Sequence, residues 1–289
     1  MSLSLFVNLI LNGLTSASLY FLIAAGVSLI FGLMHVLNFA HGSSFMLGSY
    51  FGYTFYQLTN SFIIALLGAF VTGILVGFII EYFLIRRFYG IAGATPQVLI
   101  TLGIMMIVNQ LVIIIWGAEF KYFILPAALN NVWNVLGINF SYYRGFLILF
   151  GVLVFVLLHY FLEKTRVGII VRAGVEDSVM VQAFNINIHW VFRLVFCVGT
   201  GVAFLGGAMS APLIGVYPTI GVELMFFGFI VVVVGGLESL AGCAVGAILV
   251  GFLQSVGGYF FPQIALIFNV LLMIIVLLIK PEGMFGKRR

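Results

Sequence analysis

Apolar residues run along this chain in long unbroken stretches, without the alternation of strands or the single stripe of a soluble amphipathic helix. Nine stretches come near the ~20 apolar residues that cross a bilayer's hydrocarbon core. They cover residues 6–32, 42–58, 61–85, 96–116, 145–162, 190–212, 222–237, 240–258 and 263–280. They are too long and too uniformly apolar for the strands of a membrane barrel. The pattern therefore predicts an all-α fold, a polytopic helical integral membrane protein of eight or nine spans in one domain over residues 1–289. Eight spans result if 222–258 folds as a half-membrane hairpin.

Composition excludes the soluble alternative. Of 289 residues 64% are hydrophobic and only 7% charged, where a soluble domain carries roughly 25% charged residues. Mean hydropathy is +1.28. No charged side chain precedes Glu81, so Ser16-Ala17-Ser18 lacks the basic segment of a cleaved signal, and the first helix is expected to stay. Cys197 and Cys243 both sit in apolar runs and read as small buried hydrophobes.

Charge placement gives the orientation. Arg86, Arg87, Lys164, Arg166, Arg172, Arg193, Lys280, Lys287, Arg288 and Arg289 fall on one side of the predicted spans, and only Lys121 and Arg144 on the other. Ten against two puts the C-terminal tail in the cytoplasm and, with nine spans, the N-terminus outside. Trp116 and Trp133 fall at the outer loop, where indoles favour the headgroup level.

Glu81, Glu223, Glu238 and Lys280 lie near span ends, so the relay of a proton pump and the charges of a voltage sensor are missing. The polar groups at depth are neutral: Asn12, Asn38, His41, Asn109, Gln110, Gln254 and Asn269. They suit a route for an uncharged or zwitterionic solute, or simply interhelical hydrogen bonds worth about 0.6 kcal/mol each. Gly48-x-x-x-Gly52, Gly73-x-x-x-Gly77 and Gly242-x-x-x-Gly246 let helices approach closely. The pattern breaks at 38–42 and again between Pro212 and Pro218, and broken helices point to a transport route. The two halves show no sequence repeat.

Chemistry is absent where an enzyme would need it. There is no His-Glu-x-x-His, no Gly-x-Ser-x-Gly and no phosphate loop ending in Gly-Lys-Ser/Thr. His41 with Ser43 and Ser44 lacks a group to orient the imidazole. Without a phosphate loop, any ATP-derived energy arrives from another subunit. Between the spans, 162–190 is the one long soluble-looking stretch. Asp177 is placed to cap a helix, Val179, Met180, Ala183 and Phe184 share one face, and Asn185 suits a left-handed helix end. No lysine or arginine follows Asp177 on this helix, so a partner's groove fits it better than a lipid surface.

These residues resemble a known family, the branched-chain amino acid ABC transporter permeases (LivH-type subunit), nearly end to end. Asn38-Phe39-Ala40-His41-Gly42 followed by Met46-Leu47-Gly48 is similar to the family signature after the first long helix. Residues 168–185 resemble its coupling loop, with Gly168, Arg172, Ala173, Glu176 and Asp177 in place. Gly235-Gly236-Leu237 through Gly242 and Lys280-Pro281-Glu282-Gly283-Met284-Phe285-Gly286 resemble its glycine-rich segment and its ending. Glu238, Asn185 and Val181 depart from the usual glycine, glycine and alanine.

The resemblance implies a permease subunit of an ATP-driven importer in a prokaryotic inner membrane, carrying branched-chain amino acids. The same class also carries urea and short amides, and a passive solute channel is the alternative from a different class. Implied partners are a second permease subunit, two cytoplasmic ATPase subunits and an extracytoplasmic solute-binding protein, which would meet the outer loop 117–143. No cofactor is expected in this chain, since the ATPases use the ATP. Asn38, Phe39, Ala40, His41 and Gly42 would lie at a helix break beside the route. Gly168, Arg172, Ala173, Glu176, Asp177, Met180, Ala183 and Phe184 would couple to the ATPase.

Overall fold

The computed structural model describes residues 3–34, 38–88, 94–126, 129–135 and 138–286. Each of the nine apolar stretches forms a helix, as backbone in lipid must. In chain order the helices are α1 (Leu3–Met34), α2 (Ala40–Thr59), α3 (Phe62–Phe83), α4 (Ala94–Trp116), α5 (Tyr142–Lys164), α6 (Arg166–Glu176), α7 (Ser178–Ala183), α8 (Ile188–Ile214), α9 (Ile220–Gly235), α10 (Leu240–Phe260) and α11 (Ala265–Ile279). A small antiparallel hairpin, β1 (Val132–Val135) and β2 (Ile138–Ser141), sets Trp133 opposite Phe140.

The starts of the helices follow local chemistry. Ser61, Thr165, Asn187 and Ser239 each accept a backbone N–H of the helix they precede, filling part of the donor deficit of a first turn. Among the described residues, seven helices are long and apolar enough to cross a membrane. The other two from the nine stretches are α9, at 16 residues, and α2, whose 20 residues include His41, Ser43, Ser44, Ser49 and Thr54. These two meet each other inside the bundle.

α1 and α8 form the centre, each 83% buried along its apolar stretch, against 17% for α4 and 11% for α11 at the periphery. Glycine faces set the packing. Gly48 and Gly52 of α2 lie on Phe204 and Ala208 of α8, while Gly73 and Gly77 of α3 lie on Phe204 and Thr200. The rising order of the first pair and the falling order of the second make α2 parallel and α3 antiparallel to α8. All three Gly-x-x-x-Gly pairs lie at helix contacts, with Gly242 and Gly246 against Gly235 and Val231 of α9.

The contacts fall into two matched sets. α1 packs along α10 as α8 packs along α3. α2 rests on α3 and α4 as α9 rests on α10 and α11, and α1 meets α8 as α2 meets α9. α1 and α8 run in opposite directions, so α1–α4 and α8–α11 form two repeats of inverted topology. The halves repeat in packing although their sequences do not.

One end of the bundle holds the Arg86–Arg87 turn, α6, α7 and the tail from Lys280, with α6 packed on α1, α5 and α8. This basic end gathers the cations that the sequence grouped, apart from Lys287, Arg288 and Arg289, which lie outside the described residues. At the opposite end Arg144 donates to Asn12, and the Lys121 and Val216 backbones exchange hydrogen bonds of 2.9 and 3.1 Å. Tyr217 donates to Glu223 at 2.7 Å, and its phenol is pushed up to about 12 by burial first and then by that carboxylate. It therefore stays a donor at any physiological pH.

The expected break between Pro212 and Pro218 is present: α8 runs through Pro212 to Ile214, the chain turns at Gly215, whose φ is +89°, and α9 begins only at Ile220. Proline late in a helix removes one hydrogen bond, which the neighbouring structure can absorb. One expectation changes: the half-membrane hairpin over 222–258 is absent. α10 crosses the whole bundle, from Gly242 against Gly235 at the basic end to Gly257 against Ala265 at the other.

Candidate functional site

The break between α1 and α2 returns the chain from the basic end to the interior. There Asn38 and His41 are buried, with His41 fully enclosed, and the His41 N–H donates to the Asn38 carbonyl at 3.2 Å. Phe39 is half-buried and Ala40 buried. The imidazole lies where α1 and α8 approach most closely: a Cβ on Gly26 would stand 2.5 Å from its Nε2 and 2.6 Å from the Gly199 carbonyl. The Ile23 carbonyl also faces the ring, yet neither ring nitrogen closes a hydrogen bond of good geometry. Among the described residues the Asn38 Oδ1 is likewise buried without a partner. Such groups are costly in a dry interior.

Gly42 packs on the first turn of α9. A Cβ there would lie 2.6 Å from the Gly221 carbonyl and 2.8 Å from the Met225 Cβ, while a Cβ on Gly221 would strike Gly42 and Met46. The contact is nearly self-symmetric: Gly42-x-x-x-Met46 meets Gly221-x-x-x-Met225 at the axis relating the two repeats. Ser43 and Ser44 bond elsewhere, Ser43 to Asn109 Oδ1 at 3.2 Å and Ser44 to the Ala40 carbonyl at 3.3 Å. Neither hydroxyl bonds the imidazole.

The second group of residues lies at the basic end, outside the bundle. Thr165 accepts from the Gly168 N–H at 3.0 Å, and Gly168 is buried against the Phe161 and Leu162 carbonyls, where a side chain would not fit. Arg172 pairs with Glu163, tying α6 to the end of α5. α6 closes where the Asp177 N–H donates to the Ala173 carbonyl at 2.8 Å. Asp177 then accepts the Met180 N–H at 2.9 Å, as its predicted capping role requires. Asn185 adopts φ +59°. Val171 and Val181 are buried, whereas Ala173, Glu176, Asp177, Met180, Ala183 and Phe184 are exposed, Phe184 by 74%. The side chain of Val179 lies outside the described residues.

The chain from 9 to 277 matches the family model described as the permease component of the branched-chain amino acid transport system. The chain belongs to this family. It is similar to the high-affinity branched-chain amino acid transport system permease protein BraD of Pseudomonas aeruginosa, 29% identical over 96% of this chain and 95% of that protein. It is also similar to LivH of Escherichia coli K12, 26% identical over 98% and 96% respectively. A probable branched-chain amino acid transport permease of Methanocaldococcus jannaschii is 27% identical over 93% and 89%. No solved structure matches.

In this permease the two groups of residues are distant but joined. α7 leads through Asn185 and Asn187 into α8, where Asn187 caps the His189 and Trp190 N–H groups. Along α8, Gly199 then touches the α1 wall beside His41. Sequence reasoning missed Gly26, Gly199 and Gly221, which stand alone without a second glycine four residues away in register. It also missed α6 as a helix and the ion pair of Glu81 with Arg193 at 2.9 Å, which links α3 to α8.

Proposed function

We propose that this permease is the membrane subunit of an ATP-driven importer of branched-chain amino acids. In this reading it pairs with a second permease subunit. Two ATPase subunits drive it from the cytoplasm, and an extracytoplasmic binding protein supplies the solute. The names of its relatives support the solute. The observation that carries the ATP-driven part is the α6–α7 surface: a capped helix outside the bundle, with Met180 and Phe184 bare on one side and Val181 buried on the other. A surface helix of that kind needs a groove to cover it.

Gly168, Arg172 and Ala173 set the helix pair, and Glu176, Asp177, Met180, Ala183 and Phe184 meet the ATPase. Closure of the ATPases pushes α7, and the push passes into α8. Asn38, Phe39, Ala40, His41 and Gly42 hold the break beside the route, where α1, α2, α8 and α9 converge. A differential preference of the ATP-bound partners for one arrangement then shifts the permease between outward- and inward-open states. The basic end lies in the cytoplasm with the C-terminus, in the inner membrane of a prokaryote. The chain itself needs no cofactor.

The test is deletion of the gene in its native cell, followed by uptake of labelled leucine and labelled urea with and without energy depletion. Energy-dependent loss of leucine uptake alone is expected. Loss of urea uptake alone would change the solute, and lost uptake that survives energy depletion in the parent cell would mark a passive channel. Glu176→Lys with Asp177→Lys should abolish uptake while the chain still inserts.

A further inference from the structure

α4 is attached to the body chiefly through α2, and the seam between them is polar. Ser43, Leu47, Tyr50 and Thr54 form one stripe of α2, at the spacing that keeps residues on one helix face. Met105, Asn109, Val112 and Trp116 form the same stripe on α4. The two meet in order. The Ser43 hydroxyl reaches Asn109 Oδ1 at 3.2 Å and the Met105 carbonyl at 3.5 Å. The Tyr50 ring lies 5.3 Å from that of Trp116, and the Trp116 Nε1–H donates to Thr54 Oγ1 at 2.9 Å.

One atom in this seam has no counterpart. Tyr50 is fully buried, and among the described residues its hydroxyl has no hydrogen-bond partner. A buried phenol normally finds one. Packing does not require these polar groups either. In the second repeat α9 meets α11 in the equivalent place, and α9 (Ile220–Gly235) contains no serine, threonine, tyrosine, asparagine or glutamine. The α9 side of that contact brings no hydroxyl, although α11 carries Asn269 and α9 carries Glu223. The hydroxyls that α2 brings to the α2–α4 seam are therefore additional to what the architecture needs.

We propose that the α2–α4 seam is a solute site, taking a zwitterionic amino acid with an apolar side chain when α4 moves away from α2. Ser43, Tyr50, Thr54 and Asn109 are neutral donors and acceptors for the solute's ammonium and carboxylate groups. Leu47, Val112 and the Trp116 ring take its aliphatic side chain. Ser43 is one residue beyond Gly42, so the seam begins at the break and continues it toward the end opposite the basic one. α4 has little of its surface buried and is attached chiefly through α2, so it can move at small cost. This inference rests on the proposed transport function and names the residues that recognise the solute.

The test uses the assembled transporter in liposomes, with leucine supplied on its binding protein. Tyr50→Phe keeps the ring and removes the hydroxyl. It should raise the KM for leucine about 3- to 10-fold, the effect of one lost hydrogen bond, at unchanged protein amount. In a background with Cys197→Ala and Cys243→Ala, Thr54→Cys and Asn109→Cys should react with a small cationic methanethiosulfonate, and leucine should slow both reactions. A KM shift or protection by leucine supports the site. Unchanged KM together with cysteines that leucine does not protect overturns it. In that case leucine transport by the unmodified complex leaves the importer standing, whereas failure of the unmodified complex to transport would remove the importer itself.

Discussion

Where two helices of this permease come closest, a side chain is missing. On α8 a Cβ added to Gly207 would collide with the Phe45 carbonyl of α2, which is backbone and cannot rotate aside. Gly207→Ala is therefore expected to separate α2 from α8 at a cost of about 1–3 kcal/mol, the usual range for overpacking. Gly258→Ala on α10 is the control, because nothing lies within 4 Å of its added Cβ. Thermal unfolding in detergent should show a lower midpoint for Gly207→Ala and no loss for Gly258→Ala. The Glu81–Arg193 pair is the other decisive contact at this scale. Glu81 is fully buried, and Arg193 also lies 5.3 Å from the rings of Phe78 and Tyr82. Arg193→Met removes the cation paired with the buried Glu81 carboxylate, a loss of up to about 3–5 kcal/mol. Adding Glu81→Gln should recover much of that loss in the same melting experiment, and a double variant no better than the single would overturn the pairing argument. The sequence showed Glu81 near a span end, but its partner, 112 positions away, has no local signature. Gly-x-x-x-Gly pairs were legible for the opposite reason, since their spacing is itself the signal.

At the scale of elements, hydropathy located nine helices of the bundle, seven of them long and apolar enough to cross a membrane, because lipid leaves backbone no other choice. It did not locate α6. Gly168, Gly174 and the β-branched Ile169-Ile170-Val171 weaken helix propensity there, and tertiary contact prevails: Val171 is buried and Gly168 sits on the end of α5. The closing motif was legible only as a resemblance. Its physical role emerges from hydrogen bonds of the Met284 N–H to the Val234 carbonyl, at 2.9 Å, and of the Phe285 N–H to the Gly235 carbonyl, at 3.0 Å. The tail thus straps the end of α9, and Gly236 (φ +106°) and Gly283 (φ +82°) make the close approach possible. A chain ending at Lys280 should lose this strap. Hydrogen exchange should then rise at 234–239 while α3 and α8 stay protected. Equal exchange with and without the tail would show that α9 and α10 hold their turn alone.

For the whole molecule, inverted repeats fix which ends can face which side. α1 enters from the end where Arg144 meets Asn12, and its Gly32 reaches Glu238 at the basic end. α8 runs the other way, from beside α7 to Gly215 near Lys121. An odd number of crossings then separates Leu3 from the tail. By the charge bias the basic end is expected in the cytoplasm, since lysine and arginine in short loops tend to remain on that side. One argument rests on helix packing and the other on charge bias, so one labelling experiment tests their agreement. In intact cells stripped of their outer envelope, with Cys197 and Cys243 replaced by alanine, a membrane-impermeant maleimide should label Asn134→Cys in β1 and leave Phe184→Cys unlabelled. Permeabilising the cells should expose Phe184→Cys as well. The reverse pattern would place α7 outside, away from any cytoplasmic ATPase, and the coupling surface would lose its partner. Labelling of both positions before permeabilisation would contradict the odd number of crossings between them, since Asn134 and Phe184 are separated by α5 alone among the membrane helices.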